Sequence, residues 1–378
     1  MSTRIQQQTG VGTTKAEYFT YAHPPNEMLL ESGEKLGPIT VAYETYGLLN
    51  KDKSNAILLL HPSIVDAHAA GLHEGSTETG WWDCMVGPGK AFDTRHYFVV
   101  CSNVLGGCYG STGPASVNPA TGKPFGLDFP VITIGDMVNA QKHLMDFLGI
   151  EKLLCVAGGQ MGGMQALAWV ALYPRRVRSA IPIATTLRHS PQQIAFNELA
   201  RQAITADPDW RKGHYYSATR PETGLAVARM ITNIASMTDR VMEEKFSRRL
   251  KDPAESARFT DDFEVEGYTK YRNDKFVKHF DPNSFLYLTK AMDRFDLSRG
   301  RLFASGRPVR TRFLVVGFLT DWLYPPYQSL EIARELKSRK GDATYCEINS
   351  KFGHNAFLVG AEEMTHLIRH FVQTDIFW

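Results

Sequence analysis

The stretch that most limits how this chain can fold is residues 153–169, where an apolar run meets two pairs of glycines. It reads Leu-Leu-Cys-Val-Ala-Gly-Gly-Gln-Met-Gly-Gly-Met-Gln-Ala-Leu-Ala-Trp. An apolar run that stops at glycines predicts a strand, and the pattern after the second pair predicts a helix. Small residues let the backbone turn sharply between them. The sequence therefore predicts a strand, a tight turn at Gln160 and a helix whose first N–H groups point at the turn.

Further apolar segments predict the rest of a sheet. Segment 39–46 alternates as an outer strand does, whereas most of the others are continuous runs typical of strands buried on both faces. Segment 180–184 contains a proline, which is unusual in a central strand. Helical patterns separate several of these segments, and such alternation predicts an α/β fold with a mostly parallel sheet. The predicted strands are residues 39–46, 55–61, 97–101, 153–157, 180–184, 313–318 and 345–348.

The alternation stops between residues 187 and 305. This interval has helical patterns at 194–204, 224–237 and 240–250 and no buried strand pattern. We interpret it as a helical insertion that forms a lid over the carboxyl edge of the sheet, where ligands of such folds bind. The predicted organisation is a core made of residues 1–186 and 306–378 with a lid at 187–305, and residues 1–25 form a loose lead-in.

Composition excludes several classes of protein. A net charge of +2 over 378 residues gives no strong attraction to nucleic acid or to a membrane surface. No apolar run is long enough for a transmembrane helix, and the polar N-terminal segment does not resemble a signal peptide. The five cysteines are scattered, so a disulfide framework or a cysteine zinc site is not expected, and cytoplasmic residence is the simplest interpretation.

The frame Gly-x-X-x-Gly at 158–162 resembles the nucleophile elbow of α/β-hydrolases, in which X is normally serine. Here X is Gln160. An amide has no oxygen that a histidine could activate as a nucleophile. The resemblance implies an α/β-hydrolase fold, and any function assigned to the chain has to account for Gln160.

Two residues after the predicted insertion could complete a catalytic site. Asp321 follows the predicted strand 313–318, and His354 follows the strand 345–348 in a glycine-containing loop. In α/β-hydrolases the nucleophile, the acid and the histidine come in this order along the chain. Either residue alone could be structural. Together they favour catalysis, with Asp321 orienting the imidazole and His354 acting as general base and acid.

Three other residues are candidates with weaker patterns. Ser63 lies in the loop expected to supply an oxyanion-hole N–H, and we interpret its hydroxyl as lining the pocket rather than as a substitute nucleophile. Cys108 lies in a glycine-rich turn that does not match a phosphate-binding loop, and packing is favoured over a reactive thiol. Arg229, in an apolar helical pattern, either extends to water or faces a polar cavity.

Several motifs are similar to those of the homoserine O-acetyltransferase family of α/β-hydrolases, which includes related acetyl-ester hydrolases. They lie at residues 106–114, 158–167, 195–204, 321–326 and 353–358. The resemblance covers about residues 18–371. It implies ping-pong transfer of an acetyl group from acetyl-CoA through a serine, no metal and no tightly bound cofactor. It also implies small-molecule acyl partners and a homodimer formed through the lid helices.

The same resemblance assigns roles to particular residues. It implies Asp321 and His354 as triad members, and an oxyanion hole formed by the N–H of Met161 and an N–H near Ser63. It also implies Arg229 as the residue that binds the substrate carboxylate.

This chain departs from the family pattern at several positions around the site. Gln160 replaces the serine, Asn355 replaces an aspartate that holds the amino group of homoserine, and Ser236 replaces a substrate-binding tyrosine. Residues 62–65 are also atypical. A desolvated ammonium group needs a carboxylate or several acceptors. We therefore expect a neutral small ester to fit better than homoserine.

The sequence leaves three hypotheses about function open. The first is an acyl-ester enzyme in which Gln160 substitutes for the nucleophile. The second is a naturally serine-less hydrolase in which His354 and Asp321 activate water or abstract a proton directly. The third is a non-catalytic binding protein.

Overall fold

In the computed structural model, which describes residues 10–251, 262–298, 310–360 and 362–374, eight strands form one central sheet. The order across the sheet is β8-β7-β6-β5-β3-β4-β2-β1. Strands β3 to β8 run parallel to one another, and β2 is antiparallel to both β4 and β1. The α/β-hydrolase prediction of a mostly parallel sheet is therefore confirmed. The strands are β1 (Glu17–Tyr21), β2 (Ile39–Tyr46), β3 (Ala56–Leu60), β4 (Phe98–Ser102), β5 (Leu153–Gly159), β6 (Val177–Ile183), β7 (Arg312–Phe318) and β8 (Ala343–Ile348).

Two predictions about the sheet edge are wrong. Segment 39–46 is not an outer strand, because β1 pairs along its free side and most of β2 is buried. That outer strand, β1, falls inside the predicted loose lead-in, whose residues 1–9 lie outside the described part. The sequence of β1, Glu-Tyr-Phe-Thr-Tyr, is rich in strand-forming residues. It lacks the apolar run of a central strand because β1 is largely exposed at the edge of the sheet.

Both faces of the sheet are covered, as the continuous apolar runs indicate. Alternate residues of β3 point to opposite faces: Leu58 and Leu60 belong to one core cluster, and Ile57 and Leu59 to the other. The proline flagged in segment 180–184 is accommodated in the interior of the sheet, where Pro182 of β6 lies opposite Gly158 of β5. Because β5, β6 and β7 are parallel neighbours, their C-terminal ends meet at one edge of the sheet.

The helices before and after the predicted insertion pack on this sheet, and α1 has a capping box formed by Thr133 and Asp136. None of the helices in the described residues is long and apolar enough to cross a membrane. These helices are α1 (Ile134–Phe147), α2 (Met161–Leu172), α8 (Pro326–Ser338), α9 (Ala356–Val359) and α10 (Glu362–Thr374).

Between β6 and β7 the described residues form helices and no strand of the central sheet. Helix α5 ends at Phe246 rather than at residue 250, because Ser247 adopts a positive φ of 47° that breaks the helix. The predicted boundary at 305–306 lies outside the described residues. The helices are α3 (Pro191–Thr205), α4 (Glu222–Ser236), α5 (Asp239–Phe246), α6 (Glu264–His279) and α7 (Pro282–Arg294).

Candidate active site

Gln160 occupies the turn between β5 and α2 with φ 55° and ψ −118°. A residue other than glycine in this region costs about 1–3 kcal/mol and persists only where its surroundings hold it. Two backbone anchors do so here. The Gln160 N–H donates to the carbonyl of Ile183 (3.1 Å), and the Thr185 hydroxyl donates to the carbonyl of Gln160 (2.8 Å). The turn therefore presents the Gln160 side chain above the edge of the sheet in a fixed direction.

The flanking glycines are required by close contacts. A Cβ atom on Gly162 would lie 1.9 Å from the carbonyl oxygen of Leu60, and one on Gly159 would lie 2.5 Å from the ring of Phe357. Both distances are far shorter than a van der Waals contact. The glycines thus let α2 approach the end of β3 and let α9 approach the elbow.

The side chain of Gln160 is bound by Ser63, a residue predicted to be part of the oxyanion hole. The backbone N–H and the hydroxyl of Ser63 both donate to Gln160 Oε1, each at 3.1 Å. Because a backbone N–H can only donate, the amide oxygen must be the atom that faces Ser63. The amide nitrogen Nε2 is then the donor of Gln160 that a ligand can contact.

Gln160 also matches an acetylated serine in shape. Both side chains have the same number of heavy atoms, with a methylene in place of the ester oxygen and an amide nitrogen in place of the methyl group. In Gln160 the carbonyl carbon is joined to the chain by a C–C bond, which acyl transfer cannot break. The Gln160 side chain therefore has the size of an acetylated serine, but it lacks the ester bond through which an acyl-enzyme releases its acyl group.

Asp321 and His354 are brought together as the sequence predicts. Nδ1 of His354 lies 2.7 Å from Oδ2 of Asp321, and both side chains are buried. The other carboxylate oxygen accepts the N–H groups of Leu323 (3.0 Å) and Tyr324 (2.8 Å). A carboxylate at Nδ1 favours a proton there and leaves Nε2 with its lone pair. Nε2 is buried and has no hydrogen-bond partner among the described residues.

Aromatic rings hold the imidazole of His354 beside the elbow. Tyr324 stacks on it, with ring centroids 4.7 Å apart and planes 19° apart. Phe357 meets it edge-on at 5.4 Å and also lies against Gly159. The imidazole is therefore fixed by packing as well as by Asp321.

A second Asp–His pair, which the sequence does not predict, lies next to the first. His189 Nδ1 lies 2.9 Å from Asp293 Oδ1, and His189 Nε2 lies 2.8 Å from the Tyr324 hydroxyl. Asn197 (2.7 Å) and Arg201 (2.7 Å) of α3 donate to the same carboxylate. The only sequence signal is the i, i+4 spacing of these two polar residues, which puts them on one helix face.

The electrostatics of this pair follow from its hydrogen bonds. Burial alone would raise the pKa of Asp293, but hydrogen bonds from His189, Asn197 and Arg201 outweigh it and lower the pKa. Burial, with the charges of Asp321 and Asp293, raises the pKa of Tyr324 well above its usual value. Tyr324 therefore stays protonated and connects the two Asp–His pairs.

A cavity lies between the elbow and helices α3, α4 and α7. Its lining includes Ser63, Gln160, Tyr324, Arg229 and Ser236. His354 and Asn355 are not among the described residues that line it. The ring of Tyr324, which stacks on His354, forms part of the lining. Four of the predicted site residues thus share one cavity, and the His354–Asp321 pair adjoins it through contacts with Tyr324, one of its lining residues.

The predicted binding residues differ in how they are held. Arg229 lies over the ring of Phe276, with the guanidinium carbon 5.0 Å from the ring centroid. Ser236 donates to the carbonyl of Thr232 in its own helix (2.7 Å), so its hydroxyl proton is not directed at a ligand. Met161, the other predicted oxyanion residue, is buried at the first position of α2. There its N–H belongs to the first turn, whose N–H groups have no partner within the helix.

Cys108 does not line this cavity. Its sulfur accepts the backbone N–H of Asp281 (3.3 Å), and burial raises the pKa of the thiol to about 12. A thiol with such a pKa is a poor nucleophile. The interpretation of Cys108 as a packing residue agrees with this environment. All five cysteines are free.

The sequence and the fold are similar to those of known proteins. A family model described as alpha/beta hydrolase fold matches residues 57–361. The homoserine O-acetyltransferase of Methanohalobium evestigatum is 53% identical over 364 residues, which cover 96% of this chain and 74% of that protein. That of Solidesulfovibrio magneticus is 50% identical over 371 residues, which cover 96% of this chain and 94% of that protein.

Two solved structures extend the comparison. The crystal structure of an esterase is 31% identical with a TM-score of 0.85, and the alignment covers 95% of this chain and 100% of the esterase. The homoserine O-acetyltransferase of Bacillus anthracis is 29% identical with a TM-score of 0.87, covering 95% and 98% respectively. The chain is thus similar along nearly its whole length both to acetyltransferases and to an esterase.

Proposed function

Because this chain belongs to the homoserine O-acetyltransferase family of the α/β-hydrolase fold, we propose that it acts on small O-acyl compounds with His354 as the base and without an acyl-serine. The relatives make it an enzyme of the acyltransferase and esterase type. What we propose beyond this is the route of the reaction and the kind of substrate.

The observation that carries the proposal is the state of His354. Its Nδ1 is held by Asp321 at 2.7 Å, and its buried Nε2 has no protein partner among the described residues. An imidazole oriented in this way takes a proton from a hydroxyl group or a water molecule placed at Nε2. This pairing is what general-base catalysis needs, and it does not depend on a serine at position 160.

Gln160 supplies a hydrogen-bond donor in place of a nucleophile. Its oxygen is held by Ser63, so its Nε2–H group is available to polarise the carbonyl of a bound ester. Water, or the hydroxyl of an acceptor, gives its proton to His354 and attacks that carbonyl. The tetrahedral intermediate then collapses, the C–O bond to the leaving alcohol breaks, and His354 returns the proton to that alcohol.

The cavity lining supports a small ester as the class of substrate. Arg229 is the cationic residue that the family resemblance pairs with a substrate carboxylate, and it lines the cavity. Asn355 does not line it, and none of its lining residues in the described part of the chain carries a carboxylate. A small ester fits these residues better than a substrate with a free ammonium group. Acetyl-CoA as co-substrate, the homodimer and cytoplasmic residence remain predictions.

Covalent acyl transfer is the second candidate, and one observation favours it. Gln160 has the length of an acetylated serine, and its carbonyl oxygen is already hydrogen bonded to Ser63. A serine at position 160 would then place an acetyl group where the Gln160 amide now lies. The Gln160→Ser variant should therefore accept an acetyl group if the pocket has kept the shape of an acyl-enzyme site.

The test compares hydrolysis of p-nitrophenyl acetate by the protein, by Gln160→Ser and by His354→Ala, with intact mass to detect an acetyl adduct. We expect turnover without an adduct in the unmodified protein and its loss in His354→Ala. If only Gln160→Ser reacts and becomes acetylated, the covalent route is correct and direct attack is wrong. If none of the three reacts, the acyl-ester proposal fails for small acetates, and the binding hypothesis is favoured.

A further inference from the structure

A carboxylate and two imidazoles meet at β2, and none of the three residues lines the cavity. Glu44 of β2 is 1% exposed, and its two oxygens contact different histidines. Oε2 lies 3.1 Å from Nδ1 of His68, and Oε1 lies 2.6 Å from Nε2 of His73. His68 is in the loop after β3, and His73 is in the short strand Leu72–His73 that pairs with Thr13–Thr14. Three separate segments therefore bring these groups together.

The three groups have the spacing of a metal site. One ligand atom from each lies within 4.8 Å of the others. Ligand atoms around a tetrahedral zinc ion are about 3.3 Å apart when each bond is about 2.0–2.1 Å. Small side-chain adjustments would thus place all three atoms around one ion.

The charges in this cluster also fit a divalent cation. Glu44 supplies a carboxylate that contacts both imidazoles, and carboxylate oxygen together with imidazole nitrogen is a donor set that divalent ions accept. Asp66 adds a second negative charge, because its carboxylate accepts the backbone N–H of His68 (2.9 Å). A divalent ion bound to neutral imidazoles would balance both carboxylates.

Neighbouring contacts orient the Glu44 carboxylate, and one imidazole nitrogen of the cluster has no hydrogen-bond partner among the described residues. The Tyr46 hydroxyl donates to Glu44 Oε2 (2.9 Å), which holds the carboxylate as outer-shell partners do in metal sites. His68 Nε2 is buried and has no hydrogen-bond partner in the described part of the chain. The His73 side chain is 42% exposed, so an ion can reach the cluster from solvent.

We propose that Glu44, His68 and His73 form a binding site for a divalent transition-metal ion, with zinc the best match. Two imidazoles and one carboxylate are a ligand set that zinc uses, with solvent completing the coordination. The site does not depend on the acyl-ester proposal, because none of its ligands lines the catalytic cavity. It departs from the expectation of no metal, which rested on the family resemblance. A bound ion would fasten the loop that also carries Ser63 to β2 and to the strand Leu72–His73.

The experiment uses the full chain after treatment with EDTA and dialysis. Zinc chloride is titrated calorimetrically into this protein, into His73→Ala and into His366→Ala. His366 is the control because it also faces a carboxylate, with Nε2 3.7 Å from Glu362, but on an exposed helix surface. We expect saturable binding of one equivalent of zinc. His73→Ala should weaken it at least about 10–100-fold, the loss seen for outer-shell partners, and His366→Ala should leave it unchanged.

A second measurement covers the case in which a variant misfolds. Cobalt chloride added to the unmodified chain should produce visible absorption of a bound ion, and zinc should abolish it. His73 is partly exposed, so circular dichroism should show that His73→Ala keeps the fold. Absence of saturable binding by the unmodified chain, or equal affinity in His73→Ala, would overturn the proposal. The two histidines would then serve only as hydrogen-bond partners of Glu44.

Discussion

Ser63 holds Gln160 through two hydrogen bonds to one oxygen, although the two residues are 97 positions apart in the chain. The backbone N–H and the hydroxyl each lie 3.1 Å from Oε1. This contact decides which end of the amide is available to a ligand, because the N–H of Ser63 accepts nothing. Gln160 is thus oriented as a donor at the elbow, the position at which α/β-hydrolases normally have their nucleophilic serine.

Ser63→Ala removes the hydroxyl donor and keeps the N–H donor. One hydrogen bond contributes about 0.5–1.5 kcal/mol, so we expect kcat/KM for p-nitrophenyl acetate to fall by up to about tenfold. Ser63→Thr, which keeps a hydroxyl, is the matched control and should retain more activity. Equal activity in all three proteins would show that the hydroxyl does not orient Gln160.

Asp321→Asn tests the base itself. The amide keeps the shape of the carboxylate, but it no longer stabilises the imidazolium that forms during the reaction, and its NH2 group can select the other imidazole tautomer. We expect kcat to fall by about 10²–10⁴-fold, the usual contribution of general acid–base catalysis. The measurement is the pH dependence of ester hydrolysis. A profile and rate unchanged from the unmodified protein would mean that His354 is not the base.

Asp293 makes a pH-dependent contribution to stability that Asp293→Asn removes. Its folded-state pKa is lowered by hydrogen bonds that outweigh burial, so its contribution is present above the unfolded value of about 3.8. It is lost as the pH falls through the folded-state pKa. Urea unfolding should therefore show a larger difference between the two proteins at pH 6 than at pH 3. A difference that does not change with pH would contradict this assignment.

Gly162→Ala should destabilise the fold strongly. Its Cβ would lie 1.9 Å from the carbonyl oxygen of Leu60, and a backbone atom cannot move aside as a side chain can. We expect a loss of about 3 kcal/mol or more in the free energy of unfolding, at the upper end of overpacking effects. Gly10→Ala is the control, since a Cβ there meets no atom within 4 Å. Thermal unfolding of both variants measures the difference.

The sequence predicts the parts of this molecule that local patterns determine. The elbow strand, the later strand before Asp321 and the positions of Asp321 and His354 follow from apolar runs and from residue order. β1 was missed because its exposed, alternating residues lack an apolar run. The His189–Asp293 pair joins residues 104 positions apart, and no local periodicity carries such a contact. The turn at Gln160 is predictable, whereas the partner that orients its side chain is not.

Gln160→Glu separates the two functions proposed for the amide. The carboxylate keeps the length of the side chain and still accepts the N–H and O–H of Ser63 at its oxygen. It cannot donate to an ester carbonyl, and its negative charge opposes the oxyanion that forms there. We expect stability close to that of the unmodified protein and a loss of turnover of about 10²–10³-fold, as for removal of one oxyanion donor. Thermal unfolding and p-nitrophenyl acetate hydrolysis measure the two effects separately. Undiminished hydrolysis by Gln160→Glu would show that the amide donor takes no part, and direct attack would then need another group to polarise the carbonyl.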